Sequence, residues 1–509
     1  MINNQTNKSK IKPISFWPLA FLVLILFHFF SLLRYPEIHV DEAWLVSRAL
    51  GFIETGKQFG NLDSGLVETF PGYWVTNQWL ITFLQSIALR WKFVPDLIAA
   101  RSASLFMGFL LLIINYFIGF HFGGKKFANW STFLLGISQT FTYTSHMARY
   151  DIYAAVFGYF ALAIFLFKPK MRFFSGFLAT IALDIHLNSI AFIILLYILL
   201  IYESKWKFWK NKSLINLSMG VIVGITIYSL IHFIPYFQTY FTLNQIFFSS
   251  SHSPPFSTLD LTGLWLSIID SLKLFFAISS SYSILIIFAG LLFIKNKSDI
   301  NITILVINIT LWVVVILIFP LKSVFYSILI APPFFWFITN YLITIFENKE
   351  QNILRNAYHS VVIGIVISAI ILGIFPIKEN SYLKFNQSLS QLSQLIQKED
   401  RILGTQSYWF GFPQNQYYSW EVIFFYSRFF PGSSLIEAFE YFQPDILIID
   451  RRTKNYITNE EYSNSPHLRY NQPLTNLYKY IDAHAILKTN ISNDLYGPIE
   501  IYRFNFNSK

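Results

Sequence analysis

Long apolar segments dominate this sequence and leave few folds open to it. They recur between residues 14 and 375, and each is largely free of charged side chains. A helix needs about 20 mostly apolar residues to cross the hydrocarbon core of a bilayer. Because lipid offers the backbone no hydrogen-bond partner, such segments cross as helices. The predicted spans are residues 14–33, 97–121, 127–146, 152–167, 173–184, 189–201, 214–234, 280–294, 300–319, 324–346 and 361–375.

The composition excludes several classes of protein. Of the 509 residues, 54% are hydrophobic and 13% are charged, whereas soluble domains carry roughly 25% charged residues. This shortfall excludes a soluble enzyme, a disordered chain and a nucleic-acid-binding domain, despite the net charge of +10. The chain has no cysteine, so disulfides, a cysteine zinc cluster and a thiol nucleophile are absent. Walker A, G-x-G-x-x-G and G-x-S-x-G motifs are absent too, so nucleotide binding and serine hydrolysis lack support.

Basic loops predict the orientation of the spans. Short loops rich in Lys and Arg stay on the cytoplasmic side. If the N-terminus is cytoplasmic and residues 74–89 do not cross, all such loops fall inside. Residues 74–89 contain three amide side chains and are predicted to form a helix in the outer interface. The alternative, that this segment crosses, would put the next basic loops outside. Residues 261–276 are predicted as a second surface helix. The basic loops lie at residues 125–126, 168–172, 205–212, 295–297 and 349–355.

The composition changes after residue 376. Residues 377–509 are rich in polar and charged side chains and have shorter apolar runs. Leu389, Leu392, Leu395 and Ile396 have helical spacing, and residues 445–450 and 499–504 are predicted as strands. The chain is therefore predicted to be a polytopic α-helical membrane protein with about eleven transmembrane helices and a small C-terminal extracytoplasmic α/β domain. The predicted domains are residues 1–376, with a first outer loop at 34–96, and residues 377–509.

The polar residues in and between the spans form three groups. Asp41 and Glu42 open the first outer loop, where a carboxylate can act as a general base or a metal ligand. Arg149 and Asp151 follow the third span and, by the parity of the spans, also lie outside. A third group, at the break between two short spans, contains Asp184, His186 and Asn188.

Each polar group also has a structural explanation. Asp41 and Glu42 can be solvated loop acids, and Arg149 with Asp151 can cap helix ends. A lone histidine in an apolar span is usually a hydrogen-bonded structural residue. Convergence of all three groups on one face of the membrane favours a functional site, because ionisable residues are costly at that depth.

With these motifs, the sequence resembles the GT-C superfamily of polyprenyl-phosphate-sugar glycosyltransferases. The similarity is to the branch of the protein O-mannosyltransferases and the lipid A aminoarabinose transferases, over roughly residues 14–345. The motifs that carry it are Asp41-Glu42, residues 68–74 (Glu-Thr-Phe-Pro-Gly-Tyr-Trp), residues 100–104, residues 148–151, and residues 322–326 followed by Pro332-Pro333.

The resemblance implies that Asp41 is the catalytic base and that Asp151 lies across the same cavity. Glu42 completes the predicted catalytic set and is expected to orient the loop or the acceptor. It also implies substrate contacts for the motif residues and for aromatic and polar neighbours. The relatives that transfer aminoarabinose carry a lysine before a Tyr-Trp pair, whereas no basic residue lies between Glu68 and Trp74 here. The substitutes considered for the donor phosphate are Arg149, Arg101 and Lys322. The remaining predicted substrate-binding residues are Glu68, Tyr73, His186, Asn188 and Tyr326.

The expected activity is inverting transfer of a hexose or pentose from a polyprenyl-phosphate donor to a hydroxyl at the outer face of the plasma membrane. The expected partners are that donor, membrane lipid and a glycan, lipid or protein acceptor, with no nucleic acid. No cofactor is required, although Mg²⁺ or Mn²⁺ between Asp41 and Asp151 fits the preference of hard cations for carboxylates. The alternatives are a non-catalytic transporter of lipid-linked sugars and an oligosaccharide polymerase or ligase.

Overall fold

The protein has a helical part followed by a part that contains a β-sheet. The computed structural model describes residues 16–65, 72–76, 78–90, 93–205, 212–250, 265, 268–271, 299–318, 324–347, 380–420, 422–423, 426, 430, 433–458, 476–492 and 496–504. Within these ranges the helical part ends at Glu347, and the sheet-containing part starts at Asn380.

The helical part contains α-helices joined by short 3₁₀ turns. The α-helices are α1 (Trp17–Ser31), α2 (Val40–Thr55), α3 (Trp79–Leu89), α4 (Asp96–Gly136), α5 (Gln139–Ser145), α6 (Tyr150–Phe167), α7 (Arg172–Ile185), α8 (Ile190–Glu203), α9 (Lys212–Tyr228), α10 (Phe237–Ser250), α11 (Asp299–Ile318) and α12 (Ala331–Glu347). A π-helix, Ser229–Phe233, extends α9, and the 3₁₀ helices are Asn61–Asp63, Tyr73–Thr76, Pro169–Met171, Leu187–Ser189 and Val324–Leu329.

Several helices have the length and composition of membrane spans. Among the described residues four are long and apolar enough to cross: Asp96–Gly136, Tyr150–Phe167, Lys212–Phe233 and Ile300–Ile318. The apolar helices Trp17–Ser31, Trp79–Leu89 and Leu187–Glu203 are shorter. The predicted helical membrane architecture is confirmed, while the number of about eleven spans stays a prediction. The predicted spans 280–294 and 361–375, and most of the surface helix 261–276, lie outside the described residues.

Two predicted spans have different limits in the structure. The span predicted at 127–146 ends at Gly136, where Ser138 breaks the helix by accepting a hydrogen bond from Phe141 N at 3.2 Å and so capping α5. The predicted break before this span is present, because Gly123 and Gly124 have non-helical backbone angles and separate it from the preceding span. The span predicted at 324–346 was also wrong at its start, since a 3₁₀ helix occupies Val324–Leu329 and α12 begins at Ala331.

The predicted pair of short spans at 173–184 and 189–201 corresponds to α7 and α8. Each has 14 residues, which at 1.5 Å per residue is shorter than the roughly 30 Å bilayer core. Helix α7 packs closely against α9, because a Cβ on Gly220 would lie 1.9 Å from the Phe173 carbonyl oxygen. Small residues allow such close backbone contact between membrane helices. The pair thus brings its connecting residues, His186 to Ser189, to one end of the bundle.

The elements of the C-terminal part are α13 (Ser381–Ser393), β1 (Ile402–Gly404), β2 (Tyr417–Ser419), α14 (Leu435–Phe442), β3 (Ile446–Ile449), α15 (Arg451–Thr458), α16 (Asn476–His484), β4 (Ala485–Ile491) and β5 (Ile499–Phe504). The strands form a five-stranded sheet in the order β2-β1-β3-β5-β4. Pairs β1–β2 and β1–β3 are parallel, and pairs β3–β5 and β4–β5 are antiparallel. The predicted strands at 445–450 and 499–504 are confirmed as β3 and β5. Helix α13 ends at Ser393, before Leu395 and Ile396, so its predicted extension was wrong.

Helix α2 and the sheet-containing part share one hydrophobic core. Ala43, Val46 and Ala49 of α2 are fully buried in a cluster that also contains Tyr408 and Ile448. The side-chain amide of Asn61 donates to the carbonyl oxygens of Pro413 at 3.0 Å and Asn415 at 2.8 Å. The two parts therefore hold α2 between them, which fixes the helix that carries the Asp41-Glu42 pair.

Candidate functional site

The start of α2 is defined by its N-cap. His39 has extended backbone angles, and its ring Nδ1 accepts a hydrogen bond from Asp41 N at 3.2 Å. Glu42 Oε2 in turn accepts from His39 N at 2.9 Å, which completes a capping box. Both acids thus lie in the first turn, where the positive end of the helix dipole favours carboxylates.

Glu42 faces the protein interior. Its side chain and that of Arg101 are both fully buried and form an ion pair at 2.8 Å. Glu42 Oε1 also accepts from Ala148 N at 2.8 Å, so this carboxylate links α2 to the residues that precede α6. The remaining guanidinium N–H groups of Arg101 donate to carbonyl oxygens of the chain before α2, those of Leu32, Pro36 and Glu37.

The prediction that Arg101 binds the substrate does not fit this arrangement. Arg101 has no exposed side-chain surface, and its guanidinium nitrogens bond to protein oxygens. Breaking such a buried ion pair would leave an uncompensated charge, which costs several kcal/mol. Arg101 therefore holds Glu42 and the first loop in place, a role that depends on burial and is not visible in the sequence motif.

Asp41 lies on the open side of the same turn and meets a second arginine. Its side chain is 31% exposed and pairs with Arg149 Nη1. Arg149 Nε donates to Asp151 Oδ2 at 2.9 Å, so one guanidinium lies between the two carboxylates. Arg149 is the N-cap residue of α6 and Asp151 is in its first turn. The predicted convergence of Asp41 with the Arg149–Asp151 segment is thus present in the structure.

Aromatic rings surround the Arg149 guanidinium. Its Cζ lies 3.7 Å from the centroid of Phe325 and 4.8 Å from that of Tyr150, while Nη2 donates to Tyr150 Oη at 2.9 Å. His186 stacks on Tyr150 with ring centroids 4.3 Å apart and lies 5.1 Å from the ring of Tyr326. Cation–π contacts of this kind favour a charged guanidinium in a partly dry site. The predicted residues His186 and Tyr326 therefore lie beside the Asp41–Arg149–Asp151 cluster.

The electrostatic environment keeps Asp41 ionised. Burial alone would raise its pKa, but Arg149, with smaller contributions from His39, Arg452 and Arg48, outweighs this effect and lowers the pKa below its usual value. Burial also lowers the pKa of His39 from 6.5 to about 4, with Asp41 opposing the shift. His39 is thus neutral at neutral pH, and its Nδ1 accepts hydrogen bonds.

Of two other predicted residues, Tyr73 has contacts away from this cluster, and Asn188 contacts His186 at its edge. The buried Tyr73 accepts a hydrogen bond at its hydroxyl from Arg48 Nη2 at 3.2 Å, and Arg48 pairs with the buried Asp63 at 3.0 Å. Asn188 donates its backbone N–H to His186 Nδ1 at 3.1 Å and thereby fixes the ring.

Asp184 lies away from the cluster, and two predicted substrate-binding residues lie outside the described residues. Asp184 pairs with His232 of the π-helix and accepts from Leu80 N at 2.6 Å, so it ties α7, α9 and α3 together. It does not join His186 beside Asp41, as the grouping in the sequence suggested. Glu68 and Lys322 lie outside the described residues.

A cavity adjoins this cluster between the first outer loop and the C-terminal part. It has a volume of about 370 Å³, and His39 and Val40 line it on the α2 side. Sequence reasoning missed its other wall, formed by Asp450 to Arg452 and neighbours, because no motif marks these residues. It also missed His39, which could have been found as the residue just before an acidic first turn.

A divalent metal ion was predicted as possible between carboxylates of the described residues. None of their His, Asp and Glu side chains form a group of three or more that could hold a metal ion. Asp41 and Asp151, the predicted ligands of a divalent cation, both bond to Arg149. Arg149 thus lies between the two predicted ligands in the part of the chain that the structure describes, and a divalent cation there stays a prediction.

Comparisons with known proteins agree with this geometry at the level of the fold. No protein-family model matches the sequence, and no curated protein matches it. The structure is similar to the crystal structure of ArnT from Cupriavidus metallidurans bound to undecaprenyl phosphate, with a TM-score of 0.62, 11% identity, and coverage of 96% of this chain and 98% of that chain. It is also similar to the Archaeoglobus fulgidus oligosaccharyltransferase tethered with an acceptor peptide, with a TM-score of 0.54, 12% identity, and coverage of 97% and 75%. The chain therefore shares the fold of these two solved structures.

Proposed function

We propose that the protein is an inverting glycosyltransferase that moves a sugar from a polyprenyl-phosphate donor to a hydroxyl of a cell-surface glycan, lipid or protein. The observation that carries the proposal is the partly exposed Asp41 joined through Arg149 to Asp151. Structures with the same fold support it, because ArnT was determined with undecaprenyl phosphate. The archaeal oligosaccharyltransferase AglB, with a TM-score of 0.50, was determined with dolichol-phosphate and an inhibitory peptide.

Asp41 is the catalytic base in this proposal. A hydroxyl is a weak nucleophile, and a positioned base typically contributes about 10²–10⁴-fold to its reaction. Asp41 is ionised and partly exposed, so it can take the proton as the acceptor oxygen bonds to the anomeric carbon. The bond from that carbon to the phosphate oxygen breaks at the same time. One displacement on the face opposite the leaving group inverts the anomeric configuration.

Arg149 stabilises the departing phosphate. The lipid phosphate leaves as an anion, so it needs a cation more than it needs an acid. In the structure, Arg149 donates hydrogen bonds to Asp41, Asp151 and Tyr150. A donor phosphate would compete with Asp41 for Arg149 Nη1, and the loss of that contact would make Asp41 a stronger base. Asp151 keeps the guanidinium in place throughout.

The other predicted site residues act around these three. Glu42 positions the first turn of α2 through its bonds to Arg101 and His39 N. We assign substrate contacts, to the donor or the acceptor, to His186 and Tyr326, whose rings lie beside the Arg149–Tyr150 pair. The predicted substrate contacts of Tyr73, Asn188, Glu68 and Lys322 stay part of the proposal. No step of this mechanism passes through a metal ion.

The proposal extends to the location of the protein. A polyprenyl-phosphate sugar stays in the bilayer, so its reactive carbon must be met at the membrane surface. We place the protein in a bacterial plasma membrane with its N-terminus cytoplasmic and Asp41 at the outer face. The C-terminal α/β domain, residues 377–509, then lies outside, and residues 1–376 form the membrane domain.

The test is Asp41→Asn in the full-length protein reconstituted in lipid nanodiscs. We expect sugar transfer to fall by about 10²–10⁴-fold while binding of the polyprenyl-phosphate sugar is retained. Asp445→Asn is the matched control, because Asp445 pairs with Arg401 on the C-terminal part, and its transfer rate should be unchanged. Unchanged transfer by Asp41→Asn would remove the assignment of the base. Transport of the donor without transfer by the unsubstituted protein would instead favour the transporter.

A further inference from the structure

An ion pair that plays no part in the steps above joins α7 to the π-helix at the end of α9. It is formed by the carboxylate of Asp184 and the ring of His232, whose side chains are 13% and 3% exposed. His232 lies in the π-helix Ser229–Phe233. Because π-helical turns are rare and frequently occur at functional sites, the pair is a candidate for a role beyond helix packing.

Both ring nitrogens of His232 face acceptor oxygens. Nε2 contacts Asp184 Oδ1, and Nδ1 contacts the backbone carbonyl oxygen of Val75. The other carboxylate oxygen, Asp184 Oδ2, accepts a hydrogen bond from Leu80 N at 2.6 Å. A carbonyl oxygen can only accept, so Nδ1 carries one proton, and the contact with Asp184 needs a second one. The pair therefore holds two protons and no net charge, which is equivalent to an imidazolium beside a carboxylate.

Removal of one proton would break this arrangement. A neutral imidazole donates from one nitrogen, so its other nitrogen would turn a lone pair toward either the Val75 carbonyl or the Asp184 carboxylate. The pair would also keep a net negative charge in a largely buried position, which is costly. The contacts of His232 are thus complete only in the doubly protonated pair.

Tyrosines are further titratable side chains on the elements around His232. The ring of Tyr228, on α9, lies 4.7 Å from the ring of His232, and its hydroxyl lies 2.9 Å from that of Tyr240 on α10. Tyr73, in the 3₁₀ helix that contains Val75, accepts a hydrogen bond from Arg48. Tyrosine hydroxyls are neutral near pH 7, so they add no charge to the pair there.

One side of the pair holds the segment that contacts α2. Val75 and Tyr73 belong to the same 3₁₀ helix, and both are buried. The hydroxyl of Tyr73 accepts from Arg48 Nη2 at 3.2 Å. Arg48 lies about two turns after Asp41 on α2. A shift of the 3₁₀ helix is therefore passed to the helix that carries the proposed base.

The other side of the pair reaches the Arg149 guanidinium. Asp184 lies in the last turn of α7, and His186 is the C-cap residue of that helix. The ring of His186 stacks on Tyr150 with centroids 4.3 Å apart, and Tyr150 Oη accepts from Arg149 Nη2 at 2.9 Å. Because Asp184 and His186 are two residues apart, the ion pair and this stack share one backbone segment.

We infer that the His232–Asp184 pair aligns these two segments with each other, which makes His232 a positioning residue for sugar transfer. The inference rests on the proposed function. The pair works while it holds both protons, so alignment is lost as the pH rises and one proton leaves. A misplacement of about 1 Å, caused far from the reacting atoms, can lower a rate by about 10²-fold.

The first measurement is the pH–rate profile of sugar transfer by the full-length protein in nanodiscs. The unsubstituted protein should lose rate on the alkaline side. Asp184→Asn removes the anion that favours the imidazolium, so this alkaline limb should move to lower pH. His232→Gln should lower the rate by about 10²-fold and should lack the limb. His484→Gln is the matched control and should keep both, because His484 is exposed on the C-terminal part and contacts Tyr480.

A second measurement does not depend on transfer and so separates this inference from the proposed function. Gln78, the N-cap residue of α3, follows Val75 closely in the chain. Gln78→Cys puts a single thiol into this cysteine-free sequence, and a nitroxide attached there reports the mobility of the segment by its EPR line shape. Mobility should rise over the pH range of the alkaline limb, and in His232→Gln it should be high at every pH. If His232→Gln does not fold, the titration of the labelled protein with its native pair tests the same contact.

Two results would overturn the inference. The first is a line shape that does not change with pH and is the same in Asp184→Asn. The second is a mobile segment in Asp184→Asn together with an unchanged rate and an unchanged alkaline limb, since the pair would then hold the segment without positioning the reaction. Absence of transfer by the unsubstituted protein would instead contradict the proposed function, and the line shape would still decide whether the pair holds the segment.

Discussion

Asp41 and Glu42 are neighbours in the sequence, yet their ion pairs differ in almost every physical respect. Glu42 and Arg101 are both fully buried, and the oxygens of Glu42 accept hydrogen bonds from Arg101, Ala148 N and His39 N. Asp41 is 31% exposed, and its partner Arg149 is shared with Asp151. The first ion pair is saturated by protein groups, whereas the carboxylate of the second is partly exposed.

The difference shows how one acidic dipeptide can supply both structure and chemistry. Successive residues of a helix are about 100° apart, so Asp41 and Glu42 cannot face the same side. The side that faces the core needs a permanent counter-ion, because a buried unpaired carboxylate costs several kcal/mol. The partly exposed side can exchange its partner for a substrate.

The largest expected effect is on stability and comes from Glu42→Gln. The neutral amide leaves the charge of Arg101 buried without compensation, so we expect the free energy of unfolding to fall by about 3–5 kcal/mol. Asp41→Asn should change it by less than about 1 kcal/mol, because Asp151 still balances Arg149. Thermal unfolding in detergent measures both variants. Equal losses of unfolding free energy in the two variants would show that both ion pairs stabilise the fold to the same extent.

The next effect is on rate and comes from Arg149→Met. Loss of the cation should lower kcat by about 10²–10³-fold, since a charged donor to the transition state is removed. It should also raise the pKa of Asp41, so the acidic limb of the pH–rate profile should move to higher pH. Arg172→Met is the control, because Arg172 pairs with Glu203 and packs on Phe165. An acidic limb that stays in place in Arg149→Met would contradict the assignment of Asp41 as the titrating base.

The smallest effect is on pH-dependent stability and comes from His39→Asn, at the residue that bonds to both acids. His39 has a pKa of about 4 in the folded protein and 6.5 in the unfolded chain, so the unfolded state binds more protons between these values. Stability from this group is complete above pH 6.5 and falls as the pH drops toward 4. At about pH 5 the loss should be roughly 2 kcal/mol.

Asparagine is a good N-cap residue, so His39→Asn should keep the start of α2 while removing the titration. The measurement is the difference in unfolding midpoint between neutral pH and about pH 5, compared with the unsubstituted protein. An equal difference in both proteins would mean that other groups carry the acid sensitivity.

The sequence predicted that Asp41 meets the Arg149–Asp151 segment, but it did not predict the partners of the other polar residues. The positive-inside rule placed Asp41 and the Arg149–Asp151 segment on the same face, and the structure joins them. The same reasoning could not show that Arg101 belongs to Glu42, because burial is decided by how α2 and α4 pack. It also could not show that Asp184 turns to His232, since that contact depends on α7 meeting the π-helix.

In the C-terminal part, too, the sequence predicted some features correctly and others not. The run at 445–450 predicted β3 well, because an uninterrupted apolar run is typical of a strand buried on both faces. Helix α13 was predicted too long, since Leu395 and Ile396 pack on the shared core from the turn that follows it. The contribution of Arg452 to the cavity could not be predicted, because it depends on docking between segments far apart in the chain.

The shared core of α2 and the C-terminal sheet has a consequence for biosynthesis. Translation proceeds from the N-terminus, so α2 emerges from the ribosome long before Tyr408 or Ile448 is made. Until then Ala43 and Val46 of α2 have only the part of this core that the helical part supplies, such as Leu97 and Ala100. The core around the helix that bears Asp41 is therefore complete only after the C-terminal sheet has folded onto it.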